Sequence, residues 1–321
     1  MHEVILNSKP SYESINYDLR PAKNIERKML AEAIGALTAF APLKTYSYVG
    51  FGSPYFTDFA LFHRVLGISK MHSIEKDVDN RSRFEFNRPL ACIQLHFGRS
   101  TTVLPGLRWS DPVIAWLDYD GKLDHTVLAD IAIFCQNAVS GSVVLISVNA
   151  RPERQEHLRR KKLENQLRAR YKIPPDITNF DFGGWGTATI SRRIIFNEIS
   201  ECLTRVNSGL QAADKKKYEQ LFNFHYKDSA EMLTTGGIIF KETDHPRFNT
   251  CDFTENYDFI RTQADAYHIE VPNLTFREFH YLNSQLPKQG HLSAKGIPSE
   301  DLEKYKRIYR WFPRFSESEF Y

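Results

Sequence analysis

Two glycines and a glutamate have the spacing of residues that hold a nucleotide. Gly50 and Gly52 follow an apolar stretch, residues 45–49, and precede a segment with helical periodicity. Glycine lets a backbone turn sharply and lets a ligand approach it without a clash against Cβ. Glu75 ends the next apolar stretch, residues 71–75, where a carboxylate binds the ribose hydroxyls in nucleotide-binding βαβ units. Together these residues predict a site for a cofactor that carries adenosine.

A second polar corner follows the fourth apolar stretch of the chain. Asp118 and Tyr119 come directly after residues 113–117. Ligands of open α/β sheets bind beyond the carboxyl ends of the strands, so this corner is where a substrate would be held. The alternative is a turn carboxylate, because Asp118-Tyr119-Asp120-Gly121 is also a turn-prone sequence. The sequence leaves both interpretations open.

The elements that would position these residues alternate regularly over the first half of the chain. Strands are predicted at residues 45–49, 71–75, 92–97, 113–118 and 142–148, with amphipathic helices between them. Apolar strands that alternate with helices predict a parallel sheet covered on both faces. Residues 219–226 and 232–240 then predict an antiparallel hairpin. The expected fold class is α/β: a Rossmann-like, mostly parallel, seven-stranded sheet ending in a hairpin, with helices on both faces and a C-terminal appendage.

Length and composition fit one large domain with an appendage. The chain has 321 residues, of which 42% are hydrophobic and 25% charged, which argues against disorder. We expect a Rossmann-like domain over residues 1–245, with a basic and glycine-rich insertion at about 151–190, and a helical cap or subdomain over 246–321. Four scattered cysteines predict neither a disulfide framework nor a zinc site. The absence of a signal pattern or a long apolar run predicts a cytoplasmic protein without a membrane span.

Five β–α units closed by a hairpin resemble the class I S-adenosylmethionine-dependent methyltransferases over about residues 20–242. The corner at residues 117–119 is most similar to that of O-methyltransferases. The resemblance implies a methyltransferase with S-adenosylmethionine as cofactor. It leaves the identity of the methyl acceptor open. It implies cofactor binding by Gly50, Phe51, Gly52, Ser53 and Glu75, and catalysis by Asp118 and Tyr119 beside the transferred methyl group.

The chain departs from this family at several positions. Tyr48 stands where the family usually carries an acid two places before the first glycine, and residues 98–100 lack the acid that often binds adenine. Asn149 and Ala150 stand where metal-dependent members commonly carry an Asp-Asn pair, so we expect no metal. The departures leave open a catalytically inactive scaffold that binds nucleic acid or a protein partner. A nicotinamide-dependent oxidoreductase shares the glycine turn but is disfavoured by the hairpin.

Basic residues dominate residues 151–172, where nine Arg or Lys stand against three Glu. We expect one helix here, which adjoins the strand end that would border the active site. Such a helix could neutralise the phosphates of nucleic acid through Arg159, Arg160, Lys161 and Lys162. The alternative is a solvated helix face, which is the commoner meaning of a charge run. These residues identify neither the methyl acceptor nor an oligomeric state.

Overall fold

A single eight-stranded sheet forms the centre of the computed structural model, which describes residues 20–287 and 290–313. The strand order is β3-β2-β1-β4-β5-β7-β6-β8, and only β7 runs against its neighbours. The strands are β1 Ser47–Gly50, β2 Lys70–Glu75, β3 Ile93–Phe97, β4 Val113–Asp118, β5 Ser142–Asn149, β6 Lys216–Lys227, β7 Glu231–Lys241 and β8 Tyr267–Ile269. The mostly parallel, Rossmann-like fold and its hairpin are therefore confirmed. The eighth strand was not expected.

Helices cover both faces of the sheet, as the alternating pattern predicts. They are α1 Pro21–Ile34, α2 Thr57–Leu66, α3 Arg81–Asn87, α4 Ser100–Val103, α5 His125–Asn137, α6 Arg159–Leu167, α7 Gly186–Val206, α8 His245–Thr250, α9 Phe253–Asn256, α10 Phe276–Asn283 and α11 Ser299–Ile308. Met29 of α1 shares one apolar layer with Tyr48, while Ile131 of α5 shares the other with Val49. Neighbouring residues of β1 thus point to opposite layers, as strand geometry requires.

The turn after β1 is longer than the sequence predicts. Ser53 and Phe56 adopt left-handed conformations, with φ of 49° and 47°, so residues 53–56 form a turn before α2 begins at Thr57. Ser53 is a residue type that often caps a helix and Pro54 one that fits a first turn, so these two residues predict an earlier helix start, and that prediction is wrong. The helix ends at Gly67, which has φ of 69° and donates its N–H to the His63 carbonyl at 3.0 Å.

The C-terminal segment is joined to the sheet as well as packed beside it. Strand β8 pairs in parallel with β6, from Phe224↔Tyr267 to Tyr226↔Ile269. Trp311 and Phe259 lie in the same apolar layer as α1 and α2. Helix α10 begins with a capping box, in which the Glu278 N–H donates to Thr275 Oγ1. The division into two domains stays a prediction, but the later segment contributes a strand and core side chains as well as helices.

The basic segment after β5 is not one helix. Only residues 159–167 form an α-helix, α6, and short 3₁₀ turns lie on either side of it at residues 156–158 and 170–172. Residues 1–7, which lack a signal pattern, fall outside the described residues. Within residues 20–287 and 290–313, no helix has the length and apolar character needed to cross a membrane.

Candidate active site

A cavity of about 340 Å³ opens at the carboxyl ends of β1, β2 and β4. Five of the seven predicted site residues line it: Phe51, Ser53, Glu75, Asp118 and Tyr119. The other two, Gly50 and Gly52, belong to the turn that carries Phe51 and Ser53. The cavity is also bordered by the loop after β3, including Ser100, and by Lys122 and Asp124 on the way to α5. The structure therefore brings all the predicted site residues to one sheet edge.

Gly50 and Gly52 are required for packing within the turn. A Cβ added to Gly52 would lie 2.5 Å from a Phe56 ring carbon and 2.6 Å from Ser73 Oγ. A Cβ added to Gly50 would lie 2.9 Å from the Tyr48 hydroxyl. A Cβ at either position would point into the protein. Packing within the turn, and not the close approach of a ligand, therefore explains the two glycines.

Glu75 is bonded directly to the glycine turn. The Gly52 N–H donates to Glu75 Oε1 at 3.0 Å, and the Ser73 hydroxyl donates to the same oxygen at 2.5 Å. Burial raises the pKa of Glu75 to about 7, against the two hydrogen bonds and in the same direction as the nearby Asp58 and Asp77 charges. A carboxyl group of near-neutral pKa therefore lies at the cavity wall, where the sequence predicts the ribose acceptor.

Asp118 is held by a buried lysine that sequence reasoning did not predict. Lys23 of α1 is fully buried, and its Nζ lies 2.9 Å from Asp118 Oδ2 and 2.8 Å from Glu26 Oε2. It also donates to Tyr226 Oη at 3.1 Å and lies 4.3 Å from the Trp116 ring centroid. Burial alone would raise the pKa of Asp118, but the charge and hydrogen bond of Lys23, together with the Arg20 and Arg27 charges, outweigh burial and lower that pKa. Asp118 is therefore an anion, with 23% of its side chain exposed.

Tyr119 belongs to a hydrogen-bonded cluster that joins two loops of the cavity. Its hydroxyl donates to Asp130 Oδ2 at 2.5 Å, and the Ser100 hydroxyl donates to the same oxygen. Asp130 is fully buried on α5. Burial and the Asp130 charge raise the pKa of Tyr119 well above its usual value. The phenol therefore stays protonated and is held in place at the cavity wall. Its ring packs edge-on against Phe51, with 5.1 Å between the ring centroids.

The tyrosine at position 48 is paired with an acid from the next helix. The Tyr48 hydroxyl donates a hydrogen bond to Asp58, in the first turn of α2. Sequence reasoning missed Asp58, Asp130 and Lys23 because each lies within an amphipathic helix, where a single charged residue is normally assigned to the solvated face. The (i, i+3) spacing of Lys23 and Glu26 was the one available signal, and it is common on exposed helices.

Potential metal ligands are not clustered in the part of the chain that the structure describes. There, no group of three or more His, Cys, Asp or Glu side chains could hold a metal ion. The expectation of metal-independent chemistry stays a prediction.

The sheet order, the terminal hairpin and the cavity at the strand ends define a member of the S-adenosylmethionine-dependent methyltransferase superfamily. The sequence model of a family described as "Putative O-methyltransferase" matches residues 15–320, and the chain belongs to that family. The resemblance inferred from the glycine turn and the hairpin is therefore confirmed.

Solved structures with similar folds come from several organisms. Trm1 from Pyrococcus horikoshii with S-adenosyl-L-methionine has a TM-score of 0.45 and 8% identity, covering 74% of this chain and 60% of that one. An O-methyltransferase from Bacillus cereus in complex with SAH has a TM-score of 0.37 and 11% identity, covering 73% and 93%. Spermidine synthase from Thermotoga maritima has a TM-score of 0.40 and 11% identity, covering 77% and 68%. The chain thus spans about 60% of the length of Trm1. No curated protein matches it.

Proposed function

We propose that this chain transfers a methyl group from S-adenosylmethionine to an oxygen atom of an acceptor. The observation that carries the proposal is one cavity that joins Glu75 at one wall to Asp118 and Tyr119 at another. Its volume, about 340 Å³, suits a small organic ligand, since such pockets commonly enclose about 300–1,000 Å³. The family description agrees with an oxygen acceptor.

The residues at the cavity wall fit the cofactor. Glu75 would accept hydrogen bonds from the ribose hydroxyls, and its bonds to Ser73 and Gly52 fix the carboxyl group for that role. Phe51 and Ser53 would border the cofactor from the turn above β1. When bound, the cofactor supplies a methyl group already activated on a sulfonium.

Asp118 would orient the acceptor. Lys23 holds one carboxylate oxygen and keeps the group ionised, while the exposed part of the side chain faces the cavity. An acceptor hydroxyl could donate to that carboxylate and so be aligned with the methyl group. Alignment of two reactants supplies much of the rate enhancement in such a reaction. Because Lys23 lowers the pKa of Asp118, we assign it to orientation and hydrogen bonding ahead of complete proton removal.

Calorimetry and labelled methyl transfer test the proposal. The parent protein should bind S-adenosylmethionine and S-adenosylhomocysteine but not NAD. With methyl-labelled cofactor and a fractionated metabolite extract, Asp118→Asn should lower labelling at least tenfold while S-adenosylhomocysteine affinity changes about twofold or less. EDTA should not reduce the labelling. NAD binding in place of the adenosyl cofactors would contradict the proposal. Loss of labelling in EDTA, restored by magnesium, would instead support a metal-assisted mechanism.

An inactive scaffold that binds nucleic acid or a protein is the second candidate. Nucleic-acid binding through Arg159, Arg160, Lys161 and Lys162 stays a prediction. Three of these four residues have acidic partners, in the pairs Arg159–Glu156, Arg160–Glu164 and Lys162–Glu153 at 3.2, 3.2 and 3.0 Å. Such pairs reduce the charge that the helix offers to phosphates. Binding of S-adenosylhomocysteine without labelling of any fraction would favour the scaffold.

A further inference from the structure

Lys122 lies between the large cavity and a smaller pocket beside it. The smaller pocket is enclosed by the end of β5, α6 and the start of α7, and Glu153 and Lys162 also line it. The backbone around Lys122 is tied to β5, because the Asn149 N–H donates to the Gly121 carbonyl at 2.9 Å. The lysine is thus held at the edge of the cavity next to the Asp118 corner.

The charges that face Lys122 are mostly positive. Its Nζ lies 3.9 Å from Glu153 Oε2, but the same oxygen lies 3.0 Å from Lys162 Nζ. Glu153 Oε1 accepts the Arg154 N–H at 3.1 Å. Burial and the charges of Lys162 and Arg151 lower the pKa of Lys122, and only Glu153 opposes them. Lys122 and Lys162 therefore share one carboxylate, which is bonded more closely to Lys162.

Two of the acids that border this edge are engaged by other groups. Asp118 pairs with Lys23 at 2.9 Å. Asp124 caps α5, accepting the Thr126 and Val127 N–H groups at 2.8 and 3.2 Å. Neither carboxylate appears among the charges that act on Lys122. Lys122 thus pairs only loosely, with Glu153 at 3.9 Å, beside the point where the acceptor would be aligned.

We propose that Lys122 and Lys162 bind an anionic group of the methyl acceptor, either a carboxylate or a phosphate. The inference rests on the proposed function, because it places the acceptor between Asp118 and the smaller pocket. An anion there would relieve the repulsion between the two lysines and form charge-assisted hydrogen bonds. The side chain of Lys122 is 32% exposed, so its charge is less screened by water than a fully solvated one.

The test uses the full chain saturated with S-adenosylhomocysteine and simple anions as probes. Phosphate and acetate are titrated separately at constant ionic strength against chloride, and the thermal unfolding midpoint is recorded. At least one probe should raise the midpoint of the parent more than chloride does, and the active probe identifies phosphate or carboxylate. Lys122→Gln should need about ten times more probe for the same shift. Lys162→Gln, an exposed change outside the large cavity, should weaken the effect in the same direction.

Lys215→Gln is the matched control, because Lys215 is exposed at the opposite end of the hairpin and loses the same charge. It should respond to the probes as the parent does. Equal responses from all four proteins, or no response beyond chloride, would overturn the anion site. Binding of a short RNA without any phosphate response would also overturn it and indicate a nucleic-acid partner. Calorimetry of the parent with S-adenosylhomocysteine separates the two proposals: failure there contradicts the proposed function itself.

Discussion

The buried carboxyl group of Glu75 should couple cofactor binding to protonation. The carboxyl group is buried, and burial raises its pKa to about 7 even though Ser73 and the Gly52 N–H donate to it. Ribose hydroxyls would donate to the ionised form, so bound cofactor should favour loss of the proton. Cofactor affinity should therefore rise with pH, while the free energy of unfolding of the cofactor-free protein should fall.

We predict that affinity for S-adenosylhomocysteine rises with pH up to about 7 and then levels. Below that value each pH unit should cost about tenfold in affinity, because the group must lose a proton before it accepts the ribose. Glu75→Gln should bind about tenfold or more weakly at pH 8 and lose most of the pH dependence. Calorimetry between pH 5.5 and 8.5 measures both effects. Parallel pH profiles for parent and variant would show that Glu75 is not the titrating group.

Unfolding of the cofactor-free protein provides the control. The folded state holds the Glu75 proton up to about pH 7, while an ordinary glutamate releases it near 4.5. The folded state thus binds more protons between these values, and the free energy of unfolding should fall as pH rises through this window, by about 3 kcal/mol at most. Glu75→Gln should remove this pH dependence of the free energy of unfolding, as measured by urea denaturation.

At the level of single residues, the sequence predicted only those site residues that lie at the ends of strands. Glu75 and Asp118 each close an apolar run, so their position at the ligand-binding edge follows from the strand pattern alone. Lys23 approaches Asp118 from a helix about 95 residues earlier, and Asp130 reaches Tyr119 from inside α5. Those contacts depend on how helices dock on the sheet, which periodicity does not specify.

Among the elements, the turn after β1 shows how a tertiary hydrogen bond can accompany a helix start that local residue preferences do not predict. The strand position that usually carries an acid is Tyr48, and its hydroxyl bonds to Asp58 at the start of α2. That contact needs the left-handed turn at residues 53–56, which delays the helix to Thr57. Ser and Pro suggested an earlier helix start, because local capping preferences take no account of this tertiary hydrogen bond.

The basic helix α6 supplies a prediction at the same scale. Changing Arg159, Arg160, Lys161 and Lys162 together to Gln should weaken binding of single-stranded RNA and flatten its salt dependence. The loss of four phosphate contacts would reduce the slope of log binding constant against log salt concentration by about three, at about 0.7 per contact. Because three of the four cations have acidic partners, we expect a change of about one unit.

Gel-shift titrations of parent and variant at two salt concentrations measure that slope, with S-adenosylhomocysteine affinity as the folding control. Equal RNA binding by both proteins, or none by the parent at low salt, would assign α6 to a solvated face. The same result would favour a small-molecule or protein acceptor.

On the scale of the whole molecule, strand and hairpin patterns predicted most of the sheet. Strands β2 to β7 match the expected apolar runs within two or three residues, because burial on both faces leaves a nearly continuous apolar signature. Strand β8 has three residues, Tyr267–Ile269, too few for a period to be visible. It forms because β6 offers an unpaired edge, so its existence follows from the assembled sheet.

The last prediction concerns the segment that carries β8. Its residues support the sheet edge, since Gln220 Nε2 donates to the Arg261 and Gln263 carbonyls at 2.7 Å each. Trp311 packs edge-on against Phe259 at 5.3 Å and donates through Nε1 to Glu32 Oε2 at 2.6 Å. The full chain should therefore unfold in one transition that includes this segment.

Removing residues 246–321 should expose the β6 edge and part of the main core, giving a protein that aggregates or lacks a cooperative transition. Trp311→Ala should lower the free energy of unfolding by about 3–5 kcal/mol, as for other buried aromatic truncations. Phe276→Ala, at a side chain 65% exposed in the same segment, should change it by about 0.5 kcal/mol or less. Urea denaturation followed by near-ultraviolet circular dichroism compares the variants. A truncated chain that unfolds cooperatively and binds S-adenosylhomocysteine with the parent's affinity would show instead that residues 1–245 are an independent domain.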